Sequence, residues 1–253
     1  MQVEVEEPMM EIQGLTFAYG GNTVLDHVSF SIRKGDYIGI IGPNGGGKTT
    51  LIKILTGLLK PHSGAVTISG APAARYRDKY KIGYVPQRIA QHTASFPATV
   101  LEIVESGRTP AKGWFAFMDE NDRLAASRAL EVAGIAELKN KLMSELSGGQ
   151  RKRVFIARAL AAESEILILD EPFVGVDIAA QTEFYAFLKD LNERNGLTIL
   201  FVSHDIDVVT NEAKTILCLN RGLLCFESSA RVREEDLIEK LYGKKMTHLH
   251  RAP

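Results

Sequence analysis

The apolar positions change period along the chain, and those changes mark its elements. Glu11-Ile12-Gln13-Gly14-Leu15-Thr16-Phe17 and Val28-Ser29-Phe30-Ser31-Ile32 alternate apolar with polar, the period of a half-buried strand. Tyr19-Gly20-Gly21-Asn22 supplies a turn between them. Val66-Thr67-Ile68, set between Gly64 and Gly70, predicts an edge strand of the same antiparallel layer. Other stretches are apolar almost throughout: Tyr37–Ile41, Ile82–Pro86 as a short strand ending at the proline, Ile166–Leu169, too short for a helix, and Leu197–Val202. The last two read as buried parallel strands. From about Thr99 to Ala162 the pattern is mostly helical. Thr99 and Glu102 have capping-box spacing ahead of an apolar run, and helices follow at Asp122–Ala133 and Gln150–Ala162. Lys112-Gly113-Trp114-Phe115, with the single tryptophan, falls in a loop between helices. Later helices span 179–194 and about Glu234–Leu241, and Ser203 or Asp205 can cap one after the last buried strand. Residues 1–8 are a polar leader and Lys244–Pro253 a tail. Alternating strands and helices predict a parallel α/β core, preceded by an antiparallel layer and interrupted by a helical insertion, with no internal repeat.

Composition narrows the partners. The 253 residues are 45% hydrophobic and 24% charged, ordinary for a globular protein. With 30 Lys+Arg against 31 Asp+Glu, no basic surplus argues for nucleic acid. No apolar stretch approaches the roughly 20 residues of a membrane span, and the acidic start Met1–Glu7 lacks a signal peptide's basic region and apolar core. Any membrane part is therefore expected on another chain. Cys218 and Cys225 lie in two short apolar runs, Thr215–Leu219 and Leu223–Glu227, which read as a hairpin with Gly222 in its turn. Two cysteines without a signal peptide are expected to be reduced core residues.

Candidate chemistry centres on Gly42-Pro43-Asn44-Gly45-Gly46-Gly47-Lys48-Thr49-Thr50, which fits G-x-x-x-x-G-K-[ST] between an apolar strand and the helical run Leu51–Leu55. Gly42, Gly45, Gly46 and Gly47, with Asn44, let backbone N–H groups curl around a phosphate at a helix N-terminus. Lys48 is expected to reach the β- and γ-phosphates and the Thr49 hydroxyl to ligate Mg²⁺. Downstream, Ile166–Leu169 ends in Asp170, a carboxylate where a Mg²⁺ site beside a phosphate loop requires one. Glu171 next to it can polarise an attacking water. Leu146-Ser147-Gly148-Gly149-Gln150 opens a helix with a hydroxyl and free N–H groups, a second anion-binding terminus. One nucleotide has no use for two such sites unless the second serves a nucleotide held by another copy. His204, after the last buried strand, sits at the sheet edge where α/β ligand sites lie; on its own it reads equally as structural or functional.

With Gly42–Thr50, Gln87, Leu146–Gln150, Asp170-Glu171, Asp177 and His204 in this order, the sequence resembles the ATPase subunit of an ABC transporter, from about residue 10 to 227. The resemblance implies an α/β P-loop NTPase with a RecA-like parallel sheet core, an N-terminal antiparallel β subdomain and an inserted α-helical subdomain. Residues of about 10–35 and 64–70 then form the β layer, and 37–60, 80–87 and 163–227 the core. The helical subdomain with the signature motif covers about 88–162, and 228–253 is a C-terminal helix and tail. It further implies a homodimer closed head-to-tail around two ATP and Mg²⁺. Ser147 and Gly149 of one copy, within the Ser147-Gly148-Gly149-Gln150 motif, would grip the γ-phosphate on the other copy's loop. Glu171 would be the general base, and His204 the switch residue at the γ-phosphate. Gln87 would link Mg²⁺ and the attacking water to the helical insertion, Asp177 would sit at the dimer seam, and Tyr19 would stack on adenine.

The cargo is not legible in those motifs. Glu171–Asp177 resembles the form seen in importers of divalent transition metals, and Phe96–Val100, Ser106–Arg108 and Lys112–Phe115 resemble the zinc-importer branch. The expectation is therefore a peripheral ATPase on the cytoplasmic face of the membrane. Its partners are an integral membrane permease and an extracytoplasmic metal-binding protein, with no nucleic acid. Phe96 and Pro97 are expected in the cleft that receives the permease. The alternatives are an importer of chelated cargo (siderophore, haem or cobalamin) and a non-transport ABC ATPase. His248 and His250, at i and i+2 in a terminal tail, are read as incidental; no other His/Cys cluster has metal-ligand spacing, so the cargo is not expected to touch this subunit.

Overall fold

A computed structural model of the protein describes residues 7–87, 97–112, 117–172 and 178–243. The chain divides into two compact units, one of residues up to Tyr76 together with those from Leu200 onward, the other Arg77–Ile199.

The first unit opens with β1 (Met10–Tyr19), β2 (Asn22–Ile32), β3 (Tyr37–Ile41), helix α1 (Lys48–Leu55), β4 (Ser63–Ile68) and β5 (Ala71–Pro72). The alternation read at Glu11–Phe17 is observed: Ile12, Leu15 and Phe17 are buried while Gln13 is exposed. β1 and β2 pair antiparallel through the turn at Gly20-Gly21, with Tyr19 opposite Asn22. β4 is not an edge strand. The sheet runs β2-β1-β4-β5, because the chain reverses at Ser69-Gly70 and sets Ala71-Pro72 outside Ile68 and Thr67. Pro72, with no N–H to give, takes the edge where that deficit is tolerated.

In the second unit β6 (Ile82–Val85) is followed by α2 (Val100–Glu105), the short α3 (Thr109–Lys112), α4 (Glu120–Val132), α5 (Gly148–Ala161), β7 (Ile166–Leu169) and α6 (Ile178–Asn195). The box foreseen at Thr99 forms: its side chain accepts from the Glu102 amide, and the Glu102 carboxylate accepts from the Thr99 amide at 2.7 Å. α5 begins two residues before the expected start, because Ser147 caps it and Gln150 closes a second such box. Val100, Val104, Ala126, Leu130, Met143, Val154 and Ala157 interlock as one apolar cluster. A cluster of charges lies beside it. Asp122, fully buried, receives Arg108 at 3.0 Å and Lys112.

β8 (Thr198–Val202) crosses the boundary between the units. After it the first unit resumes with α7 (Ile206–Glu212), β9 (Thr215–Asn220), β10 (Gly222–Ser228) and α8 (Glu234–Tyr242). Strand order is β10-β9-β3-β8 on the first unit's side and β8-β7-β6 on the second's. β3 runs parallel to β9 and β6 parallel to β7. Every residue of β3, β7 and β8 is buried, as continuous apolar runs in a parallel sheet require. In the first unit Phe30 of β2 packs on Phe226 of β10, ring centres 5.6 Å apart. Among the described residues no helix is long and apolar enough to cross a membrane.

Two expectations for the β9–β10 hairpin are corrected. Cys218 and Cys225 are not reduced; they form a disulfide with Cα atoms 4.8 Å apart. The antiparallel register sets Cys225 directly opposite Cys218, a relation that redox reasoning from the N-terminus could not reach. The turn residue with left-handed backbone is Arg221 (φ 60°), not Gly222, which already pairs with Asn220 in the ladder. Arg221 is held there from both sides: its N–H donates to the Gly46 carbonyl at 3.0 Å and its carbonyl accepts from the Asp26 N–H at 3.0 Å.

Candidate active site

In the first unit, buried β3 delivers the chain into the glycine loop, which turns at Gly42 and ends where α1 starts at Lys48. A Cβ on Gly42 would lie 1.9 Å from the Leu219 carbonyl oxygen at the end of β9. Only glycine lets loop and strand approach so closely. The Gly46 carbonyl accepts the Arg221 N–H, so the β9–β10 turn braces the loop from behind. Lys48 is only 6% exposed, and its Nζ donates to the carbonyls of Gly42 at 2.7 Å and Pro43 at 3.0 Å. Asn44, Gly45 and Thr49 are exposed, whereas Gly46, Gly47 and Thr50 are buried. Thr49 is thus open to solvent while Thr50 packs inward. His204, exposed, lies two residues beyond the end of β8. Its neighbours fix the turn: Ser203 Oγ accepts the Asp205 N–H at 3.0 Å, and Asp205 caps α7 through the Val208 N–H at 3.3 Å. Tyr19 stands at the end of β1, half exposed, its ring edge-on to Phe17 at 4.8 Å.

The second unit holds the carboxylates. Asp170 follows β7 with 5% exposure, and its N–H donates to the Val85 carbonyl at 3.0 Å. Tyr84 on β6 hydrogen-bonds its carboxylate, and the Tyr84 phenol is pushed up to about 12 by burial first, then by the Asp170 charge and that bond. Glu171 has left-handed backbone, φ 44°, a conformation costing on the order of 1–3 kcal/mol for a non-glycine residue. Its Oε2 accepts from Gln87 Nε2 at 2.7 Å. Gln87 and Glu171, both singled out from the sequence, therefore meet across a long stretch of chain. At the start of α5, Ser147 Oγ accepts the Gln150 N–H at 3.2 Å and Gln150 Oε1 accepts the Ser147 N–H at 3.0 Å. A Cβ on Gly148 or Gly149 would meet nothing within 4 Å. Asp177 and Phe96 lie outside the described residues.

Two residues of this neighbourhood escaped the sequence reading. One is Tyr84, read only as part of a strand. The other is Lys152, hidden in the charged triplet Arg151-Lys152-Arg153. Lys152 is buried, and its Nζ donates to the Pro172 carbonyl. A signal existed: Lys152, Ile156 and Ala159 fall at i, i+4 and i+7 and are all buried, so the lysine stands on the apolar stripe of α5.

Proteins similar to this chain in sequence and in fold are numerous. Residues 25–174 match the ABC transporter family. The zinc uptake system ATP-binding protein ZurA of Listeria innocua is 37% identical over 92% of this chain and 90% of its own length. The manganese transport system ATP-binding protein MntB of Listeria monocytogenes is 40% identical over 92% of this chain and 96% of its own. Among solved structures, the ADP conformation of MJ1267, an ATP-binding cassette of an ABC transporter, superposes with a TM-score of 0.79 at 28% identity, covering 94% of this chain and all of that one. The fold is the P-loop NTPase fold of these cassettes.

Proposed function

The chain belongs to the ABC transporter family, and we propose that it is the ATP-hydrolysing subunit of an importer for divalent transition metal ions, with zinc as the cargo. The observation that carries the catalytic part is the Gln87–Glu171 hydrogen bond, 2.7 Å, on a glutamate that follows buried Asp170. Glu171 takes the proton of the attacking water, and Gln87 orients that carboxylate. Lys48 exchanges its loop carbonyls for the β- and γ-phosphates, while Asn44, Gly45, Gly46 and Gly47 supply backbone N–H groups and Tyr19 stacks on adenine. The candidate Mg²⁺ donors, the Thr49 hydroxyl, Asp170 carboxylate and Gln87 amide, are hard oxygens, and few of them, which fits an ion that keeps phosphate and water in its shell. When bound, Mg²⁺ neutralises charge developing on the phosphates.

Gly148 and Gly149 have neither crowded surroundings nor left-handed backbone. Nothing among the described residues demands glycine there. An approaching nucleotide on a second copy does, which supports a head-to-tail dimer with Ser147 and Gly149 at the partner's γ-phosphate, His204 at its own, and Asp177 at the seam.

The cargo rests on the relatives' zinc and manganese systems and on the zinc-branch resemblance of Ser106–Arg108 and its neighbours. The permease is proposed to dock on the second unit at a cavity of about 170 Å³ lined by Tyr80, Tyr84, Gly107, Pro110, Phe155 and Arg158. Gly107 belongs to Ser106–Arg108, one of the segments that resemble the zinc-importer branch, and Pro97, expected in the permease cleft, is exposed. This makes the subunit peripheral on the cytoplasmic face, with an extracytoplasmic metal-binding protein delivering cargo to the permease. Affinity capture of the tagged chain from detergent-solubilised membranes tests this. A multi-span membrane protein is the expected co-purifying partner; ribosomes or DNA in its place would contradict the transport reading.

A further inference from the structure

Glu171 is held in left-handed backbone, φ 44°, and something must hold it. On its N-terminal side the Asp170 N–H is tied to β6 through the Val85 carbonyl at 3.0 Å. On its C-terminal side the Pro172 carbonyl accepts from Lys152 Nζ. The turn that aims the glutamate is thus clamped at both ends, by a strand and by a helix.

We propose that Lys152 is a positioning residue for ATP hydrolysis: by gripping the Pro172 carbonyl it holds the Asp170-Glu171-Pro172 turn so that the Glu171 carboxylate meets Gln87. This rests on the reading of Glu171 as the base. Three observations support it. Lys152 is 9% exposed, on the apolar stripe of α5, where a lysine is unfavourable unless its head is hydrogen-bonded. Burial pushes its pKa down, yet ammonium and amine both donate, so the clamp survives either state. Lys152 also sits five residues beyond Ser147 on the same chain segment. The start of α5 and the base are therefore one mechanical unit, and a nucleotide engaging Ser147 bears on the glutamate through a single rigid helix.

The test uses full-length purified protein with Mg²⁺-ATP and compares Lys152→Met, Lys152→Arg and Glu171→Gln. Methionine keeps the apolar stem and removes the donor; arginine keeps donors. Misaiming a reacting group by about an ångström costs up to about 100-fold. Lys152→Met is thus expected to lower kcat about 10- to 100-fold with KM for ATP and melting temperature unchanged. Lys152→Arg is expected to recover most of the loss. Wild-type kcat in Lys152→Met overturns the proposal, as does an equal loss in both variants accompanied by lowered melting temperature. Full turnover in Glu171→Gln instead overturns the assignment of the base, a separate failure.

Discussion

Glu171→Gln is expected to lower kcat for ATP hydrolysis by about 10²–10⁴-fold while leaving ATP binding intact. The amide is isosteric with the carboxylate and keeps an oxygen to accept from Gln87 Nε2, now at 2.7 Å. It cannot accept a proton from water. Nothing in the glycine loop changes, since Lys48 is held by the Gly42 and Pro43 carbonyls within the first unit. Turnover measured beside equilibrium binding of a fluorescent ATP analogue separates the two effects. A variant that binds but does not turn over is the expected result, and one that hydrolyses at the wild-type rate contradicts the assignment.

Asp122→Ala is expected to produce the largest loss of stability. The carboxylate has no exposed surface, and it serves Arg108 Nε at 3.0 Å, Lys112, and the Asp119 N–H at 3.0 Å. Arg108 extends the cluster to the Ala161 carbonyl at 2.9 Å and to Glu163 at 2.8 Å, so its side chain ties the turn before α3 to α4 and the end of α5. Removing one member of a fully buried pair costs about 3–5 kcal/mol. Lys112, 26% exposed, can turn to water, which reduces the expectation to about 2–3 kcal/mol. The effect depends on pH. Burial acts to raise the Asp122 carboxyl, but hydrogen bonds from Lys112, the Asp119 amide and Arg108 hold it well below the usual carboxylate range. The unfolded state then binds the proton more readily, so the contribution is complete above the unfolded value of about 4 and is lost as pH falls through the native value. Denaturant midpoints should therefore differ most between wild type and variant at neutral pH and converge on acidification. A constant difference would show that packing alone is lost.

Local patterns in the sequence translate directly into structure. The strand–loop–helix around Lys48 and the boxes at Thr99 and Ser147 are set within a few residues, so the sequence contains everything that forms them. Long-range geometry is different. Lys152 meets Pro172 only because α5 packs against β6, the strand that pairs with β7, and the triplet Arg151-Lys152-Arg153 disguises it as surface charge. Cys218 finds Cys225 through strand register, which compartment arguments do not see. Arg221 adopts a glycine-like backbone because Gly46 and Asp26 hold it, and no propensity encodes those partners. Gln87 and Glu171 are legible residue by residue; the contacts of Tyr84 and Lys152 beside them are not.

ATP hydrolysis by this chain is proposed to drive import of a divalent transition metal, zinc. The most direct test is the zinc and manganese content of cells grown under mild chelation, with the wild-type chain or Glu171→Gln as the sole copy. A selective fall in zinc is the predicted result, and a selective fall in manganese would keep the motor and change its cargo. Unchanged levels of both metals, in cells whose variant is confirmed to be inactive in hydrolysis, would contradict the account.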